Sequence, residues 1–144
     1  MRVIVQRSRH SSVSVGGKIV GEINHGLVLL VGFTEGDNEE TLDKMVKKIL
    51  NLRIFDDEDG VMNQSILAVG GEILSISQFT LYADTTKGNR PSYFKALNGE
   101  LASPLYDLFN EKLRKEIPVQ TGIFGAEMLV SIMNDGPITI SLEM

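Results

Sequence analysis

Pro137 follows Gly136 in a stretch, Asn134 to Met144, that is bordered by residues with strand-like patterning. Proline has no backbone N–H and a fixed φ, so it cannot sit in an ordinary central strand. The glycine before it reaches conformations closed to other residues. The pair therefore either makes a turn or presents its own carbonyls and amides to something else. The two runs around it, Met128 to Met133 and Ile138 to Leu142, are read as strands.

The rest of the chain is organised around similar runs. Val3 to Arg7 alternates apolar and polar residues, as a half-buried strand does. Ser12 to Val15 continues in period two, Gly16-Gly17 makes a two-residue hairpin turn, and Lys18 to Ile23 returns. Leu27 to Phe33 is short and continuously apolar, which predicts a buried central strand. Glu72 to Leu81 predicts another, with Ile73, Ser75, Ser77 and Phe79 on one face and Leu74, Ile76, Gln78 and Thr80 on the other.

Two helices interrupt the strands. Asp37 followed by Glu40 has the form of a capping box. Beyond it Leu42, Met45, Val46, Ile49 and Leu50 fall on one apolar face, while Lys44, Lys47 and Lys48 lie off it, as a solvated face requires. Ser103-Pro104 is read as an N-cap followed by proline at the first helical position. Leu105, Leu108, Phe109, Lys112 and Leu113 continue that helix, and Pro118 keeps it from running further. Strands with two clear helices make this an α+β chain with a mixed, largely antiparallel sheet. Its 144 residues suit one domain over 1–144, and no linker or repeat divides them.

Composition narrows the function. The net charge of −5 excludes the broad basic face of a protein that grips a duplex through many phosphates. There is no cysteine, hence no disulfide and no thiolate metal site, which fits a cytoplasmic protein. The N-terminus reaches polar residues too soon for a signal peptide, and no run approaches a membrane span. Asp56 to Gly60 lacks the spacing of a calcium loop, so no metal is expected. His10 and His25 have no local partner and read as structural. G-x-S-x-G, Walker and H-E-x-x-H patterns are absent.

Two segments remain as candidates for chemistry. Ser77, Gln78, Phe79 and Thr80 crowd the end of an apolar strand, where a rigid sheet can fix polar groups. They either satisfy backbone groups at a sheet edge or stabilise a developing oxyanion, a task that needs no base. Covalent attack by Thr80 needs a base that the local sequence does not offer. Lys87 to Tyr93 adds two cations and a ring, either a solvated loop or a place to hold a phosphate and stack a base.

Taken together, Ser77-Gln78-Phe79-Thr80-Leu81 and Asn134-Asp135-Gly136-Pro137-Ile138-Thr139 resemble the D-aminoacyl-tRNA deacylase family of the bacterial and eukaryotic type. Gln6-Arg7, Arg53-Ile54-Phe55-Asp56, Gly60, Met62-Asn63, Arg90-Pro91-Ser92 and Gln120-Thr121-Gly122 support the resemblance across the whole chain. It implies a barrel-like homodimer, without cofactor, that hydrolyses the ester between a D-amino acid or glycine and the 3′ adenosine of tRNA. Ser77, Gln78, Phe79 and Thr80 would line the catalytic site. A cis Gly136-Pro137 bond would enter the partner subunit's site and select chirality, supported by Arg7. Tyr93 stands where many relatives have phenylalanine. A non-catalytic dimeric module that binds RNA ends or nucleotides is the alternative.

Overall fold

The computed structural model describes all 144 residues. Its first strands follow the alternation of the sequence. β1 (Arg2–Ser8) buries Val3 and Val5, and β2 (Ser11–Val15) buries Val13. β2 turns into β3 (Lys18–Ile23) through Gly16 and Gly17, both at positive φ, 58° and 79°, as a tight hairpin requires. β4 (Gly26–Gly32) is buried along nearly its whole length. It occupies the centre of a five-stranded sheet of order β10-β1-β4-β7-β8, with β7 at Glu72–Ser77, β8 at Val119–Thr121 and β10 at Asn134–Glu143. β10, β1 and β4 are antiparallel neighbours, while β4, β7 and β8 run parallel.

A strand buried on both faces needs cover on both sides, and two layers supply it. On one side, Val3, Val5, Leu27, Leu29 and Ile73 join the apolar stripe of α1 (Glu39–Asn51) and Phe109 and Leu113 of α3 (Gly99–Arg114). On the other, Val28, Leu74 and Ile76 pack with Val13 and Ile23 of a second sheet, β3-β2-β9, in which β9 is Leu129–Ser131. At one flank β1–β2 and β9–β10 pass together from one sheet to the other. At the other, β3 lies against β7 and β8, and a Cβ on Gly21 would stand 2.8 Å from the Thr121 carbonyl oxygen. A hairpin of β5 (Phe55–Asp56) and β6 (Met62–Gln64) and the single turn α2 (Ile66–Val69) complete the crossover from α1 to β7.

Four local expectations are corrected. Asn38, not Asp37, caps α1, its side chain accepting from Thr41 N at 3.2 Å. The Asp37 carboxylate is instead occupied by Thr34 N and the Met1 amino group. α3 begins at Gly99 behind the cap Asn98, so Pro104 lies inside the helix, on an exposed face where it forfeits one hydrogen bond. The strand from Glu72 ends at Ser77. The final strand starts at Asn134, so Gly136 and Pro137 lie within β10 and not in a turn before it.

Candidate active site

The early end of β7 creates the site. Gln78 N donates to the Val31 carbonyl at 2.7 Å, and then the backbone swings away (φ −146°, ψ 83°) into a 3-10 turn, Phe79–Tyr82. Leu81 N returns to the Gln78 carbonyl and Ala83 N to that of Thr80. As first residues of the turn, Phe79 and Thr80 have N–H groups without a partner inside it. Gly32 makes the turn possible. A Cβ there would stand 2.9 Å from the Gln78 carbonyl oxygen and 3.2 Å from Leu81 Cβ. Arg2 pins the far end, donating to the Leu81 carbonyl at 3.0 Å with its guanidinium over the Tyr82 ring.

The facing wall is hung from the end of β4. Leu97 N donates to the Phe33 carbonyl and the Thr34 hydroxyl to the Lys95 carbonyl. Between the walls lies a cleft of about 460 Å³, lined by Ser77, Gln78 and Phe79, by Tyr93 to Ala102 in part, and by Phe124 to Met128 in part. Phe79 is 58% exposed and meets Tyr93 edge to face at 5.0 Å. Phe124 rests on Tyr106, whose hydroxyl donates to the Ser75 carbonyl at 2.7 Å.

The side chains of the cleft are short of ionisable groups. No Asp, Glu, His, Lys, Arg or Cys lines it. Nor does any group of three or more His, Cys, Asp or Glu side chains come together to hold a metal ion. Behind the turn, burial pushes the Tyr82 phenol up to about 12, with the Asp37 carboxylate acting in the same direction. The site therefore offers amides, hydroxyls and aromatic rings, and no general base at ordinary pH.

The proposed residues divide into three groups. Ser77, Gln78 and Phe79 line the cleft. Thr80 does not; its hydroxyl accepts a short hydrogen bond from Gln78 Nε2 and so orients that amide. Gly136 and Pro137, joined by a cis bond, are exposed on β10 at the sheet edge, with β1 and β4 between them and β7. There the β1–β10 register breaks between Gln6↔Thr139 and Ser8↔Asn134, so β10 bulges opposite Arg7. Arg7, 8% exposed, donates from Nε to the Asp135 carbonyl at 3.3 Å and from a terminal nitrogen to the Ile54 carbonyl at 3.0 Å.

Comparison with known proteins decides the family. The model of the D-Tyr-tRNA(Tyr) deacylase family matches residues 4–143. The chain belongs to that family. Its members are hydrolases that act on the ester bond of aminoacyl-tRNA. A solved structure of a c-Myc DNA Unwinding Element Binding Protein is 43% identical, with a TM-score of 0.95, over 100% of this chain and 99% of that one. A probable eukaryotic D-amino acid tRNA deacylase shares the fold at 19% identity, with a TM-score of 0.84, over 99% of this chain and 98% of that one. No helix is long and apolar enough to cross a membrane.

Against this family background, four residues contribute structurally in ways the sequence reading did not assign. Gly32 carried a legible signal, a glycine closing an apolar strand, which marks a close backbone approach. Asn134 carried none: its amide donates to both the Arg7 and Ile138 carbonyls, at 2.9 Å each, and so bridges the bulge. Phe124 comes from a loop with no periodic pattern, Met128 is expected from the sequence to open a strand that in fact begins at Leu129, and only the packing brings the two to the cleft.

Proposed function

We propose that the chain hydrolyses D-aminoacyl-tRNA, and glycyl-tRNA with it, at the cleft beside Ser77, Gln78 and Phe79. The terminal adenosine and its ester occupy the cleft, and the adjacent 2′-hydroxyl of the substrate assists attack of water on the ester carbonyl. The Gln78 amide and the N–H groups that open the 3-10 turn stabilise the oxyanion. Thr80 holds Gln78 in place. The observation that carries this reading is a largely apolar cleft whose few polar side chains, Ser77, Gln78 and Tyr93, include no ionisable group but the Tyr93 phenol. An enzyme so equipped orients and polarises; it does not take up the proton itself.

Chirality follows from exclusion. Favourable contacts to every D side chain are impractical, whereas one rigid obstacle rejects all L side chains. The Gly136-Pro137 backbone suits that role, and glycine, without a side chain, passes it. Within one chain the pair lies across β1 from β4 and near the Gly26 end of that strand, whereas the cleft opens at its Gly32 end. The pair therefore acts in the cleft of a second copy, in a two-fold dimer with two sites. A non-catalytic dimeric module that binds RNA ends or nucleotides is the second reading, and the 43% identical relative, named for binding a DNA unwinding element, favours a nucleic-acid-binding role of that general kind.

Mixing two inactive variants tests the arrangement. Gln78→Ala damages the cleft. Gly136→Ala places a Cβ 2.7 Å from Ile138 Cγ1 at a φ of +122° and displaces the proposed obstacle. Each variant alone should lose D-tyrosyl-tRNA hydrolysis or its preference over the L ester. After subunit exchange, half the dimers carry one intact site, so about one quarter of wild-type selective activity should return. No recovery despite proven exchange contradicts a shared site. In the same assay a substrate ending in 2′-deoxyadenosine should react far more slowly, and an unchanged rate removes the hydroxyl from the mechanism.

A further inference from the structure

Between Ala83 and Tyr93 the chain leaves the cleft and comes back as a loop. Asp84 N donates to the Ser92 carbonyl at 2.7 Å and Ser92 N to that of Asp84 at 2.9 Å, so the loop has a fixed neck. Gly88, at a φ of +82°, turns its tip. Asp84 is the only acidic residue from 84 to 95, and its carboxylate is already engaged. It accepts from Thr86 N at 3.0 Å and from the Thr86 hydroxyl at 2.6 Å, and it faces Lys95 at 3.5 Å. Those contacts hold its pKa low, the Thr86 hydroxyl bond foremost.

This leaves Lys87 and Arg90 without counter-charges. Both are exposed, and neither is among the ion-paired Lys and Arg side chains, which are Arg2, Arg7, Arg9, Lys44, Lys95 and Lys112. Lys18, Lys47, Lys48, Arg53, Arg114 and Lys115 are likewise outside the ion pairs, so being unpaired does not by itself set the loop apart. The place of Lys87 and Arg90 matters more than their number. Arg90 is two residues from the neck, within ~7 Å along an extended chain. Directly beyond the neck, Tyr93 forms part of the cleft wall against Phe79, and Phe94 is 73% exposed.

Resting on the reading of the cleft as the seat of the terminal aminoacyl-adenosine, we propose that Lys87 and Arg90 bind the phosphodiester backbone of the unpaired 3′ end of tRNA, just 5′ of that adenosine. When the last nucleotide fills a cleft, the strand that carries it must leave at the mouth. Two cations on a loop there meet its phosphates without reading any base, as phosphate contacts position a strand and do not specify it. Two contacts also reconcile an acidic protein with a nucleic-acid substrate: the loop supplies charge only where the strand passes.

The test compares two esters. The Lys87→Ala/Arg90→Ala double variant is assayed on D-tyrosyl-tRNA and on 3′-O-D-tyrosyl-adenosine, which has no phosphate. The expected result is a KM for the tRNA raised about tenfold with kcat unchanged, and an unchanged rate on the adenosine ester. The dependence of log(1/KM) on log salt should flatten by about 1.4, from two contacts at ~0.7 each. Lys87→Glu/Arg90→Glu should raise the tRNA KM further. An unchanged tRNA KM overturns the proposal, and so does an equal loss on both esters. A wild-type protein inert towards both esters is a different failure: it overturns the cleft reading and this proposal with it.

Discussion

Two regions of this protein depart from regular strand, and they are held in opposite ways. The turn after Ser77 sits at the end of a buried parallel strand. Its shape is set by main-chain bonds to Val31 and by the space that Gly32 leaves. The bulge at Gly136-Pro137 sits on an exposed edge strand, and side chains set its shape, with Arg7 on one side and Asn134 across its neck. A site that must present fixed donors gains from the sheet interior. On the edge no neighbouring strand closes the bulge in, which the proposed reach into a second copy requires.

The first way to break the comparison is to fill Gly32. Gly32→Val puts side-chain atoms where the Gln78 carbonyl and Leu81 already stand, so both stability and activity should fall. Overpacking of this kind costs ~1–3 kcal/mol, and a displacement of the donors by ~1 Å costs about 100-fold in rate. Activity measured well below the melting temperature separates the two effects. Full activity at such a temperature would show that the turn tolerates a second arrangement.

Arg7→Met probes the other region with a side chain of similar reach and no donors. The Ile54 and Asp135 carbonyls lose their guanidinium partner, at a cost of about 1–3 kcal/mol. The ion pair with Asp56 adds little, since that carboxylate is 51% exposed. The expected functional signature is selective: the preference for D over L esters narrows by more than the D rate falls. An equal loss of both rates would mean that the bulge supports the fold and not the choice of substrate.

The smallest effect concerns the base of the turn. Tyr82 is buried and its hydroxyl has no hydrogen-bond partner, so Tyr82→Phe leaves no polar group stranded. Its folded pKa, raised to about 12 from the ordinary 10, means that the fold favours the neutral phenol. That stability is fully present below about pH 10 and is lost as the pH rises towards 12. Thermal melts across this window should show the wild type declining more steeply than Tyr82→Phe. Parallel curves would place the Tyr82 ring in contact with water.

Much of the molecule was legible before any fold was drawn. The period-two strands, the Gly16-Gly17 turn, the buried run of β4 and the apolar stripe of α1 follow from chain geometry over a few residues. So does the exclusion of Pro137 from a central strand, because a missing N–H is a property of the residue itself. The corrections share one cause. Asn38 against Asp37, Asn98 against Ser103, and Ser77 against Leu81 as a strand end are choices between local options of similar quality, and partners distant in sequence decide them. Thr34 and Met1 draw Asp37 away from the cap; Val31 and Gly32 let Gln78 leave its strand.

By itself, then, the sequence determined the long strands and the two long helices, where proline forbids a ladder, and which residues have the chemistry to act; the short β5, β6, β8 and α2 were not legible in it. Only the tertiary structure decided that the two motifs lie two strands apart, that Thr80 serves Gln78 and does not line the cleft, and that Lys87 and Arg90 stand uncompensated beside it. The physical reason is range. Backbone preference and periodicity act over one or two turns of chain, whereas a cleft, a salt bridge left unmade or an exposed edge depends on what the rest of the chain has already covered.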